Sequence, residues 1–255
     1  MTISIAISGG KGGVGKTIIA TNLAIFLAKQ RKKTLLVDAD FGMANAHILL
    51  GINPSQGINT FLDGKYDIED LKINVMDNLD LIPGGSGENT ILNLDCQERG
   101  KFIRNIYAQR GDYDYQIVDT SAGASRGTLD FCAACNQFIV VIVGEPTSFL
   151  DAYSLIKAAH LDYGIDNFGV IVNQASNAQQ GTQLYKKFVD ITKKFISVNQ
   201  RYMGYLPQTN LIKSSVINRK PALQSDKAAA EYEAFSTIHS NLKLLSDNHY
   251  SGLRL

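Results

Sequence analysis

The sequence has little of several features that mark specialised proteins. It contains no tryptophan and only three cysteines, and its 25 Lys and Arg residues nearly balance 24 Asp and Glu residues. A small and odd number of cysteines predicts a reducing compartment rather than a disulfide framework. The net charge of +1 does not indicate a nucleic-acid-binding or membrane-surface protein, although it leaves room for a local basic patch.

Long apolar runs are also missing. No run approaches the roughly 18 residues that span a bilayer. The sequence enters a strand-like run at its N-terminus, without a charged segment or a cleavage site typical of a secretory signal. We therefore expect a cytoplasmic protein.

Short runs rich in Val and Ile recur along the whole chain, and helix-like stretches separate them. Several runs are continuously apolar, which is typical of parallel strands covered on both faces. This alternation predicts an α/β fold, a doubly wound and mostly parallel sheet with helices on both faces, in a single domain over residues 1–255. Residues 51–95 are the least regular part, and we expect them to form an insertion over the sheet. The strand-like runs are 3–8, 34–40, 79–84, 115–120, 138–144, 168–174 and 201–207.

A glycine-rich stretch after the first run matches the phosphate-loop pattern G-x-x-x-x-G-K-[ST] and precedes a helix-like segment. Its backbone N–H groups and the helix N-terminus suit phosphate oxygens, Lys16 is placed to reach the β- and γ-phosphates, and Thr17 is placed to ligate Mg²⁺. The stretch predicts a P-loop NTPase that binds ATP and Mg²⁺. The expected nucleotide-contacting residues here are Gly10, Lys11, Gly12, Gly13, Val14, Gly15, Lys16, Thr17 and Ile18.

Carboxylates close two of the predicted strands. Asp119 ends YQIVDT, and Asp38 and Asp40 end TLLVDAD on one side of the strand. At the carboxyl edge of a parallel sheet these groups can serve a magnesium–phosphate site. We count Asp38, Asp119 and Thr17 as candidate metal ligands. Of the Asp38–Asp40 pair, one can orient the attacking water while the other holds local geometry, and capping of the next turn is the plain alternative.

The second lysine of the loop, Lys11, is not needed by a minimal phosphate loop. K-G-G-x-G-K-T, together with DADFGMAN and DTSAG further along, resembles the deviant Walker A ATPases of the MinD and ParA families. The resemblance implies an ATP-dependent homodimer in which Lys11 reaches the nucleotide of the other subunit, so that Lys11, Lys16 and Asp40 form the catalytic set. It also implies Asp40 as the residue that orients water and Asp119 in the magnesium shell.

Other segments narrow the resemblance to the FlhG/FleN flagellar-number ATPases. DADFGMANAHILLGI and EPTSFLDAYSLIK are similar to segments of that subfamily. Asn173 matches an adenine-contacting asparagine, and Pro207 stands where a loop closes over adenine. The implied partners are an FlhF-like GTPase, a transcription regulator and switch-complex proteins. That subfamily usually has an N-terminal extension that stimulates FlhF, and we do not expect that stimulation here because the sequence begins at the first strand.

Three weaker signals leave alternatives open. The apolar spacing of Phe235, Ile238, Leu242 and Leu245 fits core packing as well as a helix that associates weakly with the inner membrane. Cys132 and Cys135 are expected to be core residues rather than metal ligands, since a closed site needs four ligands. Four lysines at 186, 187, 193 and 194 are expected to form a solvated face, although such a face serves DNA in ParA relatives.

The preferred interpretation is a nucleotide-switched positioning ATPase, with flagella as the expected cargo and a position in the cytoplasm or at the membrane or cell pole. The alternative is a ParA-type segregation ATPase that acts on DNA. A phosphotransferase or an electron-transfer reductase ranks below both. The first would need a substrate pocket that residues 51–95 do not indicate, and the second would need a cluster site beyond a single cysteine pair.

Overall fold

An eight-stranded sheet forms the centre of the computed structural model, which describes residues 2–42, 44–85, 95–109 and 111–245. The strands run in the order β3-β4-β2-β5-β1-β6-β7-β8, and every neighbouring pair except β3–β4 is parallel. Their bounds are β1 Ile3–Gly9, β2 Thr34–Ala39, β3 Ile73–Met76, β4 Leu79–Ile82, β5 Tyr115–Ala122, β6 Gln137–Ile142, β7 Asn167–Ala175 and β8 Asn199–Pro207.

Helices cover both faces of the sheet, as the sequence predicts. One face carries α3 Ile58–Leu62, α4 Cys96–Ala108, α5 Arg126–Ala134, α6 Pro146–Tyr163 and α7 Ala178–Thr192. The other carries α1 Lys16–Lys29, α2 Ala46–Leu49, α8 Asn210–Ile217 and α9 Ala229–Leu242. Two 3₁₀ helices, Ile68–Leu71 and Ala222–Gln224, complete the described elements.

The central strands divide their side chains between two apolar cores. In β6, Phe138 and Val140 lie in one core, whereas Ile139 and Val141 lie in the other. All four are fully buried, because successive residues of a strand face opposite sides of the sheet. The continuous apolar pattern of this strand therefore reflects its burial on both faces.

The largest departure from the sequence prediction lies within residues 51–95. The predicted strand 79–84 is present as β4, whereas residues 73–76 do not lie over the sheet but form β3, which pairs antiparallel with β4 at the sheet edge and was missed. It has only four residues, INVM, in which Asn74 interrupts the apolar pattern, so its signal is weaker than that of the inner strands, and none of the four is fully buried. The prediction for residues 86–94 falls outside the described part of the chain.

Two of the open alternatives concern residues that the structure buries. Phe235, Ile238, Leu242 and Leu245 pack into the core on the α1 side, which favours the core-packing alternative. Cys132 and Cys135 lie in the opposite core with at most 2% of their surface exposed, as expected. Burial also raises the pKa of the Cys132 thiol well above its usual value.

None of the helices in the described ranges is both long and apolar enough to cross a membrane.

Candidate nucleotide site

The phosphate loop links the end of β1 to the start of α1 at the carboxyl edge of the sheet. Gly13 and Gly15 have φ values of +79° and +93°, a region that side chains with a Cβ rarely adopt. Gly15 is also the N-cap of α1 and provides no side chain to bond the first-turn N–H groups. Those groups and the positive end of the helix are therefore directed at an anion-binding site.

Two close contacts hold this loop in place. A Cβ on Gly10 would lie 2.0 Å from the carbonyl carbon of Asp151, so the loop packs directly on the backbone of α6. On the other side, the Asn173 amide donates a 2.7 Å hydrogen bond to the Val14 carbonyl and accepts one of 2.9 Å from Gln174 N–H. Asp151 therefore contacts the phosphate loop through its backbone.

Asn173 sits at the end of β7, 3% exposed, with both ends of its amide engaged. Its contact with adenine stays a prediction, and the structure adds a role in holding the loop. Pro207 ends β8 beside Ala175 of β7, so the two predicted base-contacting residues are neighbours at one edge. Ile18 is partly buried in the first turns of α1 and packs against the core on that side.

Asp119 is the most unusual side chain of the site. It is 1% exposed, and neither carboxylate oxygen has a hydrogen bond of good geometry among the described residues, although the Thr17 hydroxyl lies close enough to favour the charged carboxylate. Burial first, and then the charge of Asp38, raises the pKa of Asp119 well above its usual value, while Thr17 and Lys16 lower it. A buried carboxylate without a partner, beside a lysine and a hydroxyl, fits a divalent cation bound with phosphates.

Asp38 lies beside Asp119 because the two are register partners on β2 and β5. Its oxygens accept N–H bonds from Asp40 at 3.1 Å and from Ala46 at 3.0 Å. Burial raises the pKa of Asp38 to about 7, against the effect of those backbone hydrogen bonds. Asp38 therefore holds the loop between β2 and α2. This agrees with the expectation that one of Asp38 and Asp40 holds the local geometry. The role of Asp38 as a metal ligand stays a prediction.

Asp40 connects the segment that follows β2 to the last residues of β5. Its Oδ1 accepts a 2.9 Å hydrogen bond from the Ser121 hydroxyl. Gly123 N–H in turn donates to the Gly9 carbonyl at 2.9 Å, at the start of the phosphate loop. The partly exposed Asp40 is thus held next to the loop, where a water-orienting carboxylate is expected.

The two lysines of the loop have different environments. Lys16, at the start of α1, is 7% exposed, and its charge lowers the pKa of the buried Asp119 carboxyl. The Lys11 side chain is 44% exposed and its ammonium lies 3.0 Å from Glu145 Oε2 and 3.4 Å from Thr147 Oγ1. Glu145 is a site residue that sequence reasoning missed; the only signal was its place in the EPTS segment.

A parallel sheet, a glycine loop that opens a helix, a buried lysine and a carboxylate without a partner together define a P-loop nucleotide-binding protein. The sequence profile of the CobQ/CobB/MinD/ParA nucleotide binding domain matches residues 5–222, and the chain belongs to that family. Family and site together make it an ATPase that uses ATP and Mg²⁺, as the sequence predicts.

Two relatives are similar over most of the chain. The antiactivator FleN of Pseudomonas aeruginosa is 32% identical over 93% of this chain and 82% of that protein. The flagellum site-determining protein YlxH of Helicobacter pylori is 31% identical over 85% of this chain and 73% of that protein. The resemblance to the FlhG/FleN branch of the MinD/ParA ATPases is confirmed.

Solved structures agree with the fold. The MinD cell division protein of Aquifex aeolicus is 27% identical, covers 95% of this chain and 97% of its own, and superposes with a TM-score of 0.77. MinD of Pyrococcus horikoshii in complex with Mg-ADP superposes with a TM-score of 0.76 at 22% identity, covering 95% of this chain and 96% of its own. The predicted P-loop NTPase fold is confirmed.

The close contact at Gly10 gives a first prediction. Gly10→Ala should lower the free energy of unfolding by about 1–3 kcal/mol, because the new Cβ would displace the loop from α6. Gly12→Ala is the matched control, since a Cβ there meets nothing within 4 Å, and it should change stability by less than about 0.5 kcal/mol. Urea unfolding without nucleotide measures both variants; equal losses would contradict the contact.

The carboxylate of Asp119 gives a second prediction. Asp119→Asn should raise the melting temperature of the nucleotide-free protein at neutral pH, by about 2–4 °C per kcal/mol of relieved repulsion, and should abolish the Mg²⁺ dependence of ATP binding. Asp130→Asn is the control of opposite sign. Asp130 is also buried but accepts hydrogen bonds of 2.6 Å from both Arg99 and Tyr163, so its replacement should lower stability. A fall in melting temperature for both variants would contradict the account of Asp119.

Proposed function

We propose that this protein is a molecular switch whose ATP-bound form is a homodimer and whose hydrolysis step returns it to the monomer. The observation that carries the proposal is Lys11, an exposed cation on a loop suited to phosphates. The other lysine of the loop, Lys16, is buried. One subunit already supplies a lysine to its own phosphates. The second cation is bound to Glu145 at the protein surface and not to those phosphates, and we assign it to the nucleotide of another subunit.

Each residue of the site has a role in this proposal. Lys16 and the loop N–H groups hold the β- and γ-phosphates, and Thr17 and Asp119 hold the Mg²⁺ that neutralises their charge. Asp40 orients the attacking water, and Lys11 of the second subunit stabilises negative charge that develops on the phosphates. Asn173 and Pro207 lie on the adenine side. Bound ATP thus becomes part of the dimer interface, and its hydrolysis weakens that interface.

The segments that are hydrogen-bonded to this site can pass a change of nucleotide state to a partner protein. Asp38 and Asp40 hold the loop that leads to α2, and Ser121 leads to α5. Loss of the γ-phosphate can move both segments, since they meet around the same loop. The surfaces of α2 and α5 are therefore the parts of the molecule that report the nucleotide state to a partner.

The expected output is spatial and numerical control of flagella. YlxH, one relative above 30% identity, is named as a flagellum site-determining protein, and FleN, another, is named as an antiactivator. A transcription regulator, an FlhF-like GTPase and components of the flagellar switch complex are accordingly the proposed partners. The proposed location is the cytoplasm, with peripheral association at the membrane or cell pole.

A ParA-type role on DNA is the second candidate, because the lysines at 186, 187, 193 and 194 are all exposed on or just after α7. Such a role predicts ATP-dependent DNA binding that falls steeply with salt concentration. Absence of any DNA binding at low salt would exclude it.

The dimer is tested through Asp40 and Lys11. With Asp40→Ala, which blocks hydrolysis, the ATP-bound protein at micromolar concentration should have the mass of a dimer in light scattering. Adding Lys11→Ala should return the mass to that of a monomer, because the trans cation is lost, while ATP binding measured by calorimetry falls by less than about tenfold. An ATP-bound monomer in the Asp40→Ala protein would contradict the proposal.

The cargo is tested in the native cell. Deletion of the gene should change the number or placement of flagella per cell, as counted by electron microscopy, and the intact gene should restore them. Complementation with Lys16→Ala should fail, because that variant cannot hold the phosphates. Unchanged flagellar number and placement after deletion would contradict the flagellar assignment and leave the ATPase intact.

A further inference from the structure

Asp40 is partly exposed, yet its carboxylate has a fixed direction. Its Oδ1 accepts a 2.9 Å hydrogen bond from the hydroxyl of Ser121, a residue 81 positions away in the sequence. Ser121 is the last residue but one of β5 and follows Asp119 by two positions. The hydrogen bond therefore joins the end of β5 to the segment that carries the proposed water-orienting carboxylate.

Strand pairing explains how Ser121 reaches Asp40. Along β2 and β5, Asp38 pairs with Asp119 and the next residues pair in turn, so the following step brings Asp40 beside Ser121. On its other side β5 is irregular. It advances three residues, from Asp119 to Ala122, while β1 advances two, from Ile7 to Gly9. Such a bulge re-aims side chains, and bulges are common beside active sites.

The backbone of Asp40 is held from both directions. Its own N–H donates to Asp38 Oδ1 at 3.1 Å. The next residue, Phe41, is 9% exposed, and its ring meets the rings of Phe102 on α4 and Phe131 on α5 edge-on, with centroids 5.6 Å apart in each pair. With the backbone fixed in this way, the direction of the carboxylate depends on the side-chain torsions of Asp40.

The neighbouring carboxylates favour a different direction for Asp40. After burial, which has the largest effect, the charge of Asp40 contributes to raising the pKa values of Asp38 and Asp119, so the three groups are close enough to repel one another. Asp38 and Asp119 are buried, whereas Asp40 is partly exposed and can turn toward solvent. Without the Ser121 hydroxyl, repulsion would turn the Asp40 carboxylate away from the site.

We propose that Ser121 is a positioning residue for ATP hydrolysis, which holds the Asp40 carboxylate in the direction in which it receives the attacking water. The inference rests on the proposed role of Asp40 and deepens it. A carboxylate that already points in the right direction needs no reorientation during the reaction, and such preorganisation raises the rate of the chemical step. Ser121 does not itself touch the water or the phosphates in this proposal.

The size of the effect follows from the kind of hydrogen bond. A hydrogen bond to a charged group changes an equilibrium by about 10- to 150-fold, and the partial exposure of both partners favours the lower end. Ser121→Ala should therefore lower kcat by about tenfold, whereas loss of the carboxylate in Asp40→Ala should lower it by about 100-fold or more. The KM for ATP should change by less than about twofold, because the hydroxyl acts on the water and not on the nucleotide.

The test compares single-turnover hydrolysis of ATP with Mg²⁺ in Ser121→Ala and Ser121→Thr. The threonine keeps the hydroxyl and should stay within about threefold of the unmodified rate. Thr120→Val is the matched control, since the neighbouring hydroxyl donates instead to the Ile7 carbonyl at 3.1 Å and is fully buried. Its removal should lower the melting temperature and leave kcat unchanged.

A second measurement separates positioning from a structural effect. ADP with aluminium fluoride imitates the phosphoryl group under attack by water, and Ser121→Ala should bind this mimic about tenfold more weakly. Its affinity for ADP and for a non-hydrolysable ATP analogue, and its mass with that analogue in light scattering, should match the unmodified protein. In an Asp40→Ala background, Ser121→Ala should have no further effect on binding of the mimic, because the positioned group is gone.

The outcomes distinguish this inference from the proposed function. If Asp40→Ala hydrolyses ATP at the unmodified rate, the proposed role of Asp40 fails. If Asp40→Ala is inactive but Ser121→Ala keeps its full kcat, the positioning role is overturned and the proposed function stands. Equal losses of kcat in Ser121→Ala and Ser121→Thr would also overturn it, since the hydroxyl would then not be the cause.

Discussion

The arrangement of the nucleotide site depends on a carboxylate that the fold buries without a hydrogen bond of good geometry. Asp119 lies on the central strand β5, directly beside Asp38 of β2, and both are almost completely buried. Two neighbouring carboxylates in the interior are unfavourable on their own, and the raised pKa values of both express that cost. The Mg²⁺ site that we propose at this edge of the sheet accounts for the arrangement, because a bound cation would turn the repulsion into binding free energy.

The parallel sheet places every other part of the site around this point. β1 ends at the phosphate loop, β2 and β5 carry the carboxylates near their ends, and β7 carries Asn173 near its end, where its amide donates to the loop. Two hydrogen bonds then join the loop and the strand ends: one from the Ser121 hydroxyl to Asp40, and one from Gly123 N–H to the Gly9 carbonyl. We propose that a change at the phosphates moves the segments that lead to α2 and α5, as a switch requires.

Sequence alone predicted the parts of the fold and site that are written in local patterns. The phosphate loop, the carboxylates after β2 and β5, and the apolar strands buried on both faces each occupy a short stretch with its own signal. The edge strand β3 was missed because it has only four residues and Asn74 interrupts its apolar pattern. The Val14–Asn173 and Lys11–Glu145 contacts could not be predicted either, since they join residues 159 and 134 positions apart and depend on how helix and sheet pack.

The central claim is that Lys11 changes partner when ATP is bound, and one crystal structure tests it most directly. In the Asp40→Ala protein with ATP and Mg²⁺, the account predicts a two-fold dimer in which Lys11 Nζ has left Glu145 and lies within hydrogen-bond distance of a phosphate oxygen of the other subunit's ATP. A dimer in which Lys11 keeps its 3.0 Å contact with Glu145 of its own subunit would contradict the account.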